Sequence, residues 1–105
     1  MTEYVQVQTT VGSEQEARMI SRALIEARLA ACVQIVGPVH SRYRWRGKVE
    51  DTSEWQCLAK TTRSAYVAAE TVIKGLHSYD EPEVIATAIV AGSGGYLAWI
   101  EENVD

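Results

Sequence analysis

The chain has 105 residues, enough for one domain and too few for two. Apolar residues make up 47% and charged residues 23%, a composition that excludes wholesale disorder. The formal charge of −4 argues against a general nucleic-acid binder or a ligand of anionic membranes, both of which need a basic footprint.

No apolar run is long enough for a transmembrane helix. The first residues, MTEYVQVQTT, lack the basic and apolar regions of a secretory signal, so the expected location is cytoplasmic. The two cysteines, Cys32 and Cys57, are then expected as free thiols. No linker, repeat or low-complexity stretch divides the chain, so residues 1–105 are expected to form a single domain.

Residues 3–10 alternate, with Val5, Val7 and Thr9 on one face, and predict a first strand. Ser13 followed by Glu16 is a capping-box pattern that opens a helix. Ile20, Leu24 and Ala27 share its apolar face, and its end is expected near Arg28 or Ala30. Residues 32–46 read as one long strand bent at Gly37-Pro38, because proline cannot donate to a ladder. Arg46-Gly47 is the expected tight turn, and residues 48–61 return as a second long strand.

Trp55, Cys57 and Ala59 fall on one face of that strand. Thr62 is the expected cap of a second helix, whose inner face carries Tyr66, Ala69, Ile73 and Leu76. The nearly continuous apolar run from Val84 to Val90 predicts a strand buried on both faces near the sheet centre. Ser93 caps a last short helix bearing Tyr96, Leu97, Trp99 and Ile100.

The order β-α-β-β-α-β plus a C-terminal helix predicts an α+β, ferredoxin-like sandwich. The middle strands are long for so small a domain. A hairpin that overshoots its own sheet leaves open edges, and a second copy of the chain is the expected cover. Tyr43 and Trp45 lie together near the hairpin tip and are the expected anchors of that oligomer interface.

The second strand carries His40, Arg42, Arg44 and Arg46 on one face, against Glu50, Asp51 and Glu54 on the third. An anion-binding ladder and a solvated face of cross-strand ion pairs both fit that pattern, and the register is not legible. His77, Tyr79, Asp80, Glu81 and Glu83 surround Pro82 without matching any metal-binding spacing. Both cysteines sit in apolar contexts typical of structural thiols. Lys60-Thr61-Thr62 stands at a strand-to-helix junction, where backbone N–H groups hold anions in some proteins and form a plain cap in most. An acylphosphatase-type enzyme on this fold needs an arginine in the first strand–helix turn, and none precedes Arg18. No catalytic residues, and no enzyme, are therefore expected.

Five segments occur in a telling order: Arg28-Leu29-Ala30-Ala31-Cys32, Tyr43-x-Trp45-x-Gly47-Lys48-x-Glu50, Lys60-Thr61-Thr62, His77-x-Tyr79-x-x-Pro82-Glu83 and Tyr96-Leu97-x-Trp99. Together they resemble the CutA family of divalent-cation tolerance proteins over residues 4–100. The resemblance implies a homotrimer joined by long intersubunit hairpins, and a role in tolerance to copper and other divalent cations. In copper-binding members the ligands are a cysteine at the end of the first strand and two adjacent histidines. Those positions here carry Thr9, Leu76 and His77, so His77 is the one expected metal ligand and Cu²⁺ binding is expected to be weak. The resemblance also implies intersubunit clefts lined by Lys60, Tyr79, Glu83 and Trp99. The alternative function is a trimeric signalling or scaffold module that takes a small anionic ligand or a protein partner at those clefts.

Overall fold

The computed structural model describes residues 2–105. Strand β1 (Tyr4–Val11) leads into helix α1 (Glu14–Glu26), the long strands β2 (Cys32–Trp45) and β3 (Lys48–Thr62), helix α2 (Tyr66–Leu76), strand β4 (Ile85–Ile89) and helix α3 (Gly94–Glu102). The four strands form one antiparallel sheet in the order β2-β3-β1-β4. This is the expected ferredoxin-like α+β arrangement.

The core lies between one sheet face and the helices α1 and α2. From β1, Val5, Val7, Thr9 and Val11 point into it, as the alternation predicts. They meet Cys57 and Ala59 of β3, Ala17, Ile20 and Leu24 of α1, and Ala69 and Ile73 of α2. Ser13 caps α1, its Oγ accepting the Glu16 N–H at 3.1 Å. The helix ends at Glu26, earlier than the sequence suggests. Arg28 turns left-handed at φ 58° and the Leu29 N–H bonds back to Leu24 O at 2.9 Å, the hydrogen bond of a Schellman stop. Ala27 therefore falls at the exposed cap, and Ala17 takes the core position instead.

Thr62 does not cap α2. It precedes a single 3₁₀ turn, Arg63–Ala65, and makes no capping bond with its side chain. Its hydroxyl lies 3.2 Å from that of Ser64. Leu76, expected on the inner face, is exposed at the last position of α2.

The largest difference is β4. Its apolar run predicts a strand at the sheet centre, yet it is five residues long and pairs only with β1, at the outer edge. Ile85 is 48% exposed and Val90, just beyond the strand, 93%. Continuous hydrophobicity marks a strand that needs cover on both faces. It does not say that the same chain supplies the cover.

The overshooting hairpin is present. The last rung joining β1 to β3 is Val11↔Trp55, while β2 and β3 continue alone from Val39↔Glu54 to Trp45↔Lys48. The molecule is consequently elongated, 44 × 25 × 21 Å. Arg46 and Gly47 close the hairpin with φ of 50° and 82°, both positive as a primed two-residue turn requires. A bulge between Val36 and Val39 accommodates Gly37-Pro38. Gly37 is required there, since a Cβ would lie 2.4 Å from Trp55 Cδ1.

The register separates the hairpin charges. Arg42 stands opposite Asp51, and Asp51 Oδ1 accepts from Arg42 Nε at 2.9 Å and lies 3.0 Å from His40 Nε2. Arg42 first, then His40, hold the Asp51 carboxyl below the ordinary range. Glu50 and Glu54 stand opposite Tyr43 and Val39, on the other face. The basic face of β2 is thus an exposed ion-pair ladder built on one acid.

Cys57 is buried, its Sγ–H pointing at Ala17 O at 3.5 Å. Burial, with Glu16 nearby, pushes its thiol from 9.0 to about 11. The folded state therefore keeps its proton where the unfolded chain loses it. Stability is full below pH 9 and falls as pH rises towards 11, by roughly 2–3 kcal/mol at ~1.4 kcal/mol per unit. Thermal melts across that range should show this loss, and Cys57→Ala should flatten it. A slope unchanged in the variant would assign the loss to other groups.

Candidate functional site

The loop from His77 to Val84, between α2 and β4, is pinned to the end of β1. His77 closes α2 through its N–H to Ile73 O at 2.9 Å, and its side chain is 0% exposed. Its Nε2–H donates to Thr10 O at 2.9 Å, and its Nδ1 accepts the Tyr79 N–H at 3.2 Å. That pairing engages both ring nitrogens. Glu16, reaching up from α1, accepts from Ser78 N at 3.0 Å and Ser78 Oγ at 2.9 Å.

Tyr79 leans on the His77 ring, with centroids 4.9 Å apart, and carries its hydroxyl past Gly12 to Glu54. The Tyr79 O–H donates to Glu54 Oε2 at 2.8 Å, and Glu54 is only 5% exposed. Burial first, then the bond to the Glu54 carboxylate, hold the Tyr79 phenol protonated far above its ordinary range.

Between this loop and the base of the hairpin lies an open cleft of about 790 Å³. Tyr43, Trp45 and Glu54 form its hairpin wall, and Tyr79, Asp80, Glu81 and Glu83 its loop wall. Glu83 accepts from Gln8 Nε2 at 2.8 Å, which ties the loop to β1.

The residues singled out in the sequence therefore divide into two neighbourhoods. Tyr43, Trp45, Tyr79 and Glu83 line one cleft. Lys60 and Trp99 are not part of it. Lys60 stands opposite Cys32 and Gln6, near the other end of β1, and its Nζ bonds Gln34 Oε1. Trp99 stacks on Tyr96 with centroids 5.5 Å apart. Thr61 at the strand end donates its hydroxyl to Leu29 O at 2.7 Å.

Glu54 and Glu16 escape a reading of the sequence alone. Glu54 looks like one more acid in an alternating strand, and only the loop crossing over it makes it a buried partner. Glu16 reads as a capping-box residue, while its carboxylate also serves the Ser78 turn.

Metal chemistry depends on the donor set. Among the described residues, no group of three His, Cys, Asp or Glu side chains converges as metal ligands. Thr9 points into the core, and its Oγ1 is buried without a hydrogen-bond partner. Thr9→Val removes that hydroxyl at equal shape and should raise stability by about 1 kcal/mol in denaturant unfolding. A loss of stability would mean that the hydroxyl has a partner in solution.

No helix is long and apolar enough to cross a membrane among the described residues. The family profile described as CutA1 divalent ion tolerance protein matches residues 5–103. The chain is 47% identical over 94 residues to a divalent-cation tolerance protein CutA of Thermus thermophilus, covering 90% of this chain and 91% of that one. It is 38% identical to the human protein CutA over 89% of this chain, and it spans 52% of that longer protein. The solved structure of the Thermus thermophilus protein superposes with a TM-score of 0.93 at 45% identity, covering 100% of both chains. The CutA1 structure from Oryza sativa gives 0.95 at 35% identity, covering 98% of this chain and 94% of that one.

Proposed function

Since the chain belongs to the CutA family of divalent-ion tolerance proteins, we propose that it works as a homotrimer in tolerance to divalent cations, copper among them. The observation that carries the assembly is the uncovered apolar strand β4 together with the long hairpin. A soluble sheet does not leave such edges bare. A closed ring of copies covers β4, Tyr43 and Trp45 together. The role is non-enzymatic, in keeping with relatives named for tolerance and not for a reaction. The two free thiols suit the reducing cytoplasm.

Cu²⁺ binding in this reading is weak. Of Thr9, Leu76 and His77, only His77 offers a nitrogen donor, the Thr9 hydroxyl being a poor ligand for copper, and His77 must first give up the Tyr79 N–H or the Thr10 carbonyl. Native mass spectrometry with and without Cu²⁺ tests both parts at once. The expected result is a trimer whose partial copper uptake falls in His77→Ala. A monomer overturns the assembly. Uptake unchanged in His77→Ala removes that residue from the site.

A second reading is favoured by the cleft under the hairpin. It has the volume of a small-molecule site and a buried carboxylate in its wall. In this reading the assembled protein is a ligand-binding module, and its site is the intersubunit cleft formed where a neighbouring copy closes over this wall.

A further inference from the structure

Two exposed aromatic pairs lie at opposite ends of the molecule. Tyr43 and Trp45 form one on the hairpin, and Tyr96 and Trp99, stacked on α3, form the other. The β2–β3 ladder runs from Cys32↔Lys60 at the α3 end to Trp45↔Lys48 at the tip. At ~3.3 Å per residue that is roughly 40 Å, nearly the full 44 Å length. One chain therefore cannot bring the two pairs together.

The position of α3 is fixed. Leu97 and Ile100 pack with Ala31, whose N–H bonds Lys60 O at 2.9 Å. The Tyr4 hydroxyl donates to Glu101 at 3.1 Å. Inward contacts hold the helix, yet Tyr96 and Trp99 stay on its outer side. The bare apolar edge reaches the same end, because Tyr4 pairs with Ile89 and Val90 follows it out of the sheet. The α3 pair is thus continuous with the β4 edge, which the assembly has to cover.

The two ends also differ in charge. Beside the hairpin pair stand Asp80, Glu81 and Glu83, with Glu54 in the wall. Arg46 reaches only Asp80, at 3.4 Å, and His40 and Arg42 are bonded to Asp51. At the α3 end, the Lys60 ammonium bonds the neutral Gln34 Oε1 and has no acid partner among the described residues. Joining like ends would set the loop acids of one copy against those of another. Joining unlike ends sets Lys60 against them and lays aromatic faces on aromatic faces. Such a head-to-tail contact closes into a ring.

We propose that α3 of one copy seats Tyr96 and Trp99 on the hairpin wall of the next, at Tyr43 and Trp45, and brings Lys60 to the acids of its 80–83 loop. The inference rests on the ring assembly and names the surface that covers the hairpin wall.

Trp99→Ala tests it by sedimentation across a dilution series. The contact recurs three times in the ring, so the assembly constant should fall about 10⁴-fold. The dissociated chain should still melt cooperatively, since Trp99 faces outward. Trp99→Ala chains that assemble like the unaltered protein overturn the head-to-tail contact and leave the assembly standing. Should the variant fail to fold, the unaltered protein decides. A water-soluble carbodiimide should join Lys60 to Asp80, Glu81 or Glu83, read by mass spectrometry of the digested trimer. These groups lie at opposite ends of one chain, so the link forms only between copies and should vanish when dilution separates them. A trimer without any such link also overturns the contact. A chain that stays monomeric at every concentration overturns both the contact and the assembly.

Discussion

Trp45→Ala should sediment as dissociated chains at concentrations where the unaltered protein is assembled. Trp45 is 39% exposed in the single chain, and Arg46 lies over its ring at 5.3 Å. An exposed side chain contributes little to the fold of one chain, so the monomer should stay folded, within about 0.5 kcal/mol. At an interface a buried tryptophan contributes about 2 kcal/mol or more. A closed ring of three repeats every contact three times, giving roughly 6 kcal/mol, or about 10⁴ in the assembly constant. Val67→Ala is the control: this residue is 71% exposed on α2, on the helical side. Analytical ultracentrifugation across a dilution series reads the difference. An unaltered trimer in Trp45→Ala would remove the hairpin tip from the interface, and the assembly would then rest on the β4 edge.

Leu24→Ala should destabilise the folded chain by roughly 2–5 kcal/mol, the range for emptying a well-packed core site. Leu24 is 0% exposed on α1 and packs in the cluster between α1, α2 and the sheet. A domain of this size has a total stability of only about 5–15 kcal/mol, so the loss is a large share of it. The backbone at Leu24 also accepts the Leu29 N–H, but substitution leaves that bond in place, and the cost is one of packing. Chemical denaturation should show a lower midpoint at an unchanged slope. A cost under 1 kcal/mol would mean that the helices collapse into the gap. Because Leu24 faces inward, assembly below the melting point should be unaffected, which distinguishes this variant from Trp45→Ala.

The element order, the capped start of α1, the Arg46-Gly47 turn and the bend at Gly37-Pro38 were all legible in the chain. Each depends on a few neighbouring residues: a serine three positions before a glutamate, a glycine where φ must be positive, a proline that cannot donate. The inward side of β1 was legible as well, and that of α2 at Ala69 and Ile73 though not at Leu76, because periodicity sorts side chains to faces within an element but not at its end.

What required the tertiary structure depends on partners distant in sequence. The run Val84–Val90 specified a strand in need of cover but could not say that β4 sits at the edge, since hydrophobicity does not name its neighbour. Alternation along β3 puts Asp51 on the face opposite Glu50 and Glu54, but only the register past the bulge set Asp51 against Arg42, and only the loop brought Tyr79 to Glu54. His77 was an attractive ligand as a residue type, and its hydrogen bonds to Thr10 and Tyr79 show how thoroughly the fold already uses it. Within one chain Lys60 and Tyr79 lie towards opposite ends of β1, so a cleft that holds both has to be built from two copies. Local chemistry determined the elements, and cross-strand register determined which charges meet.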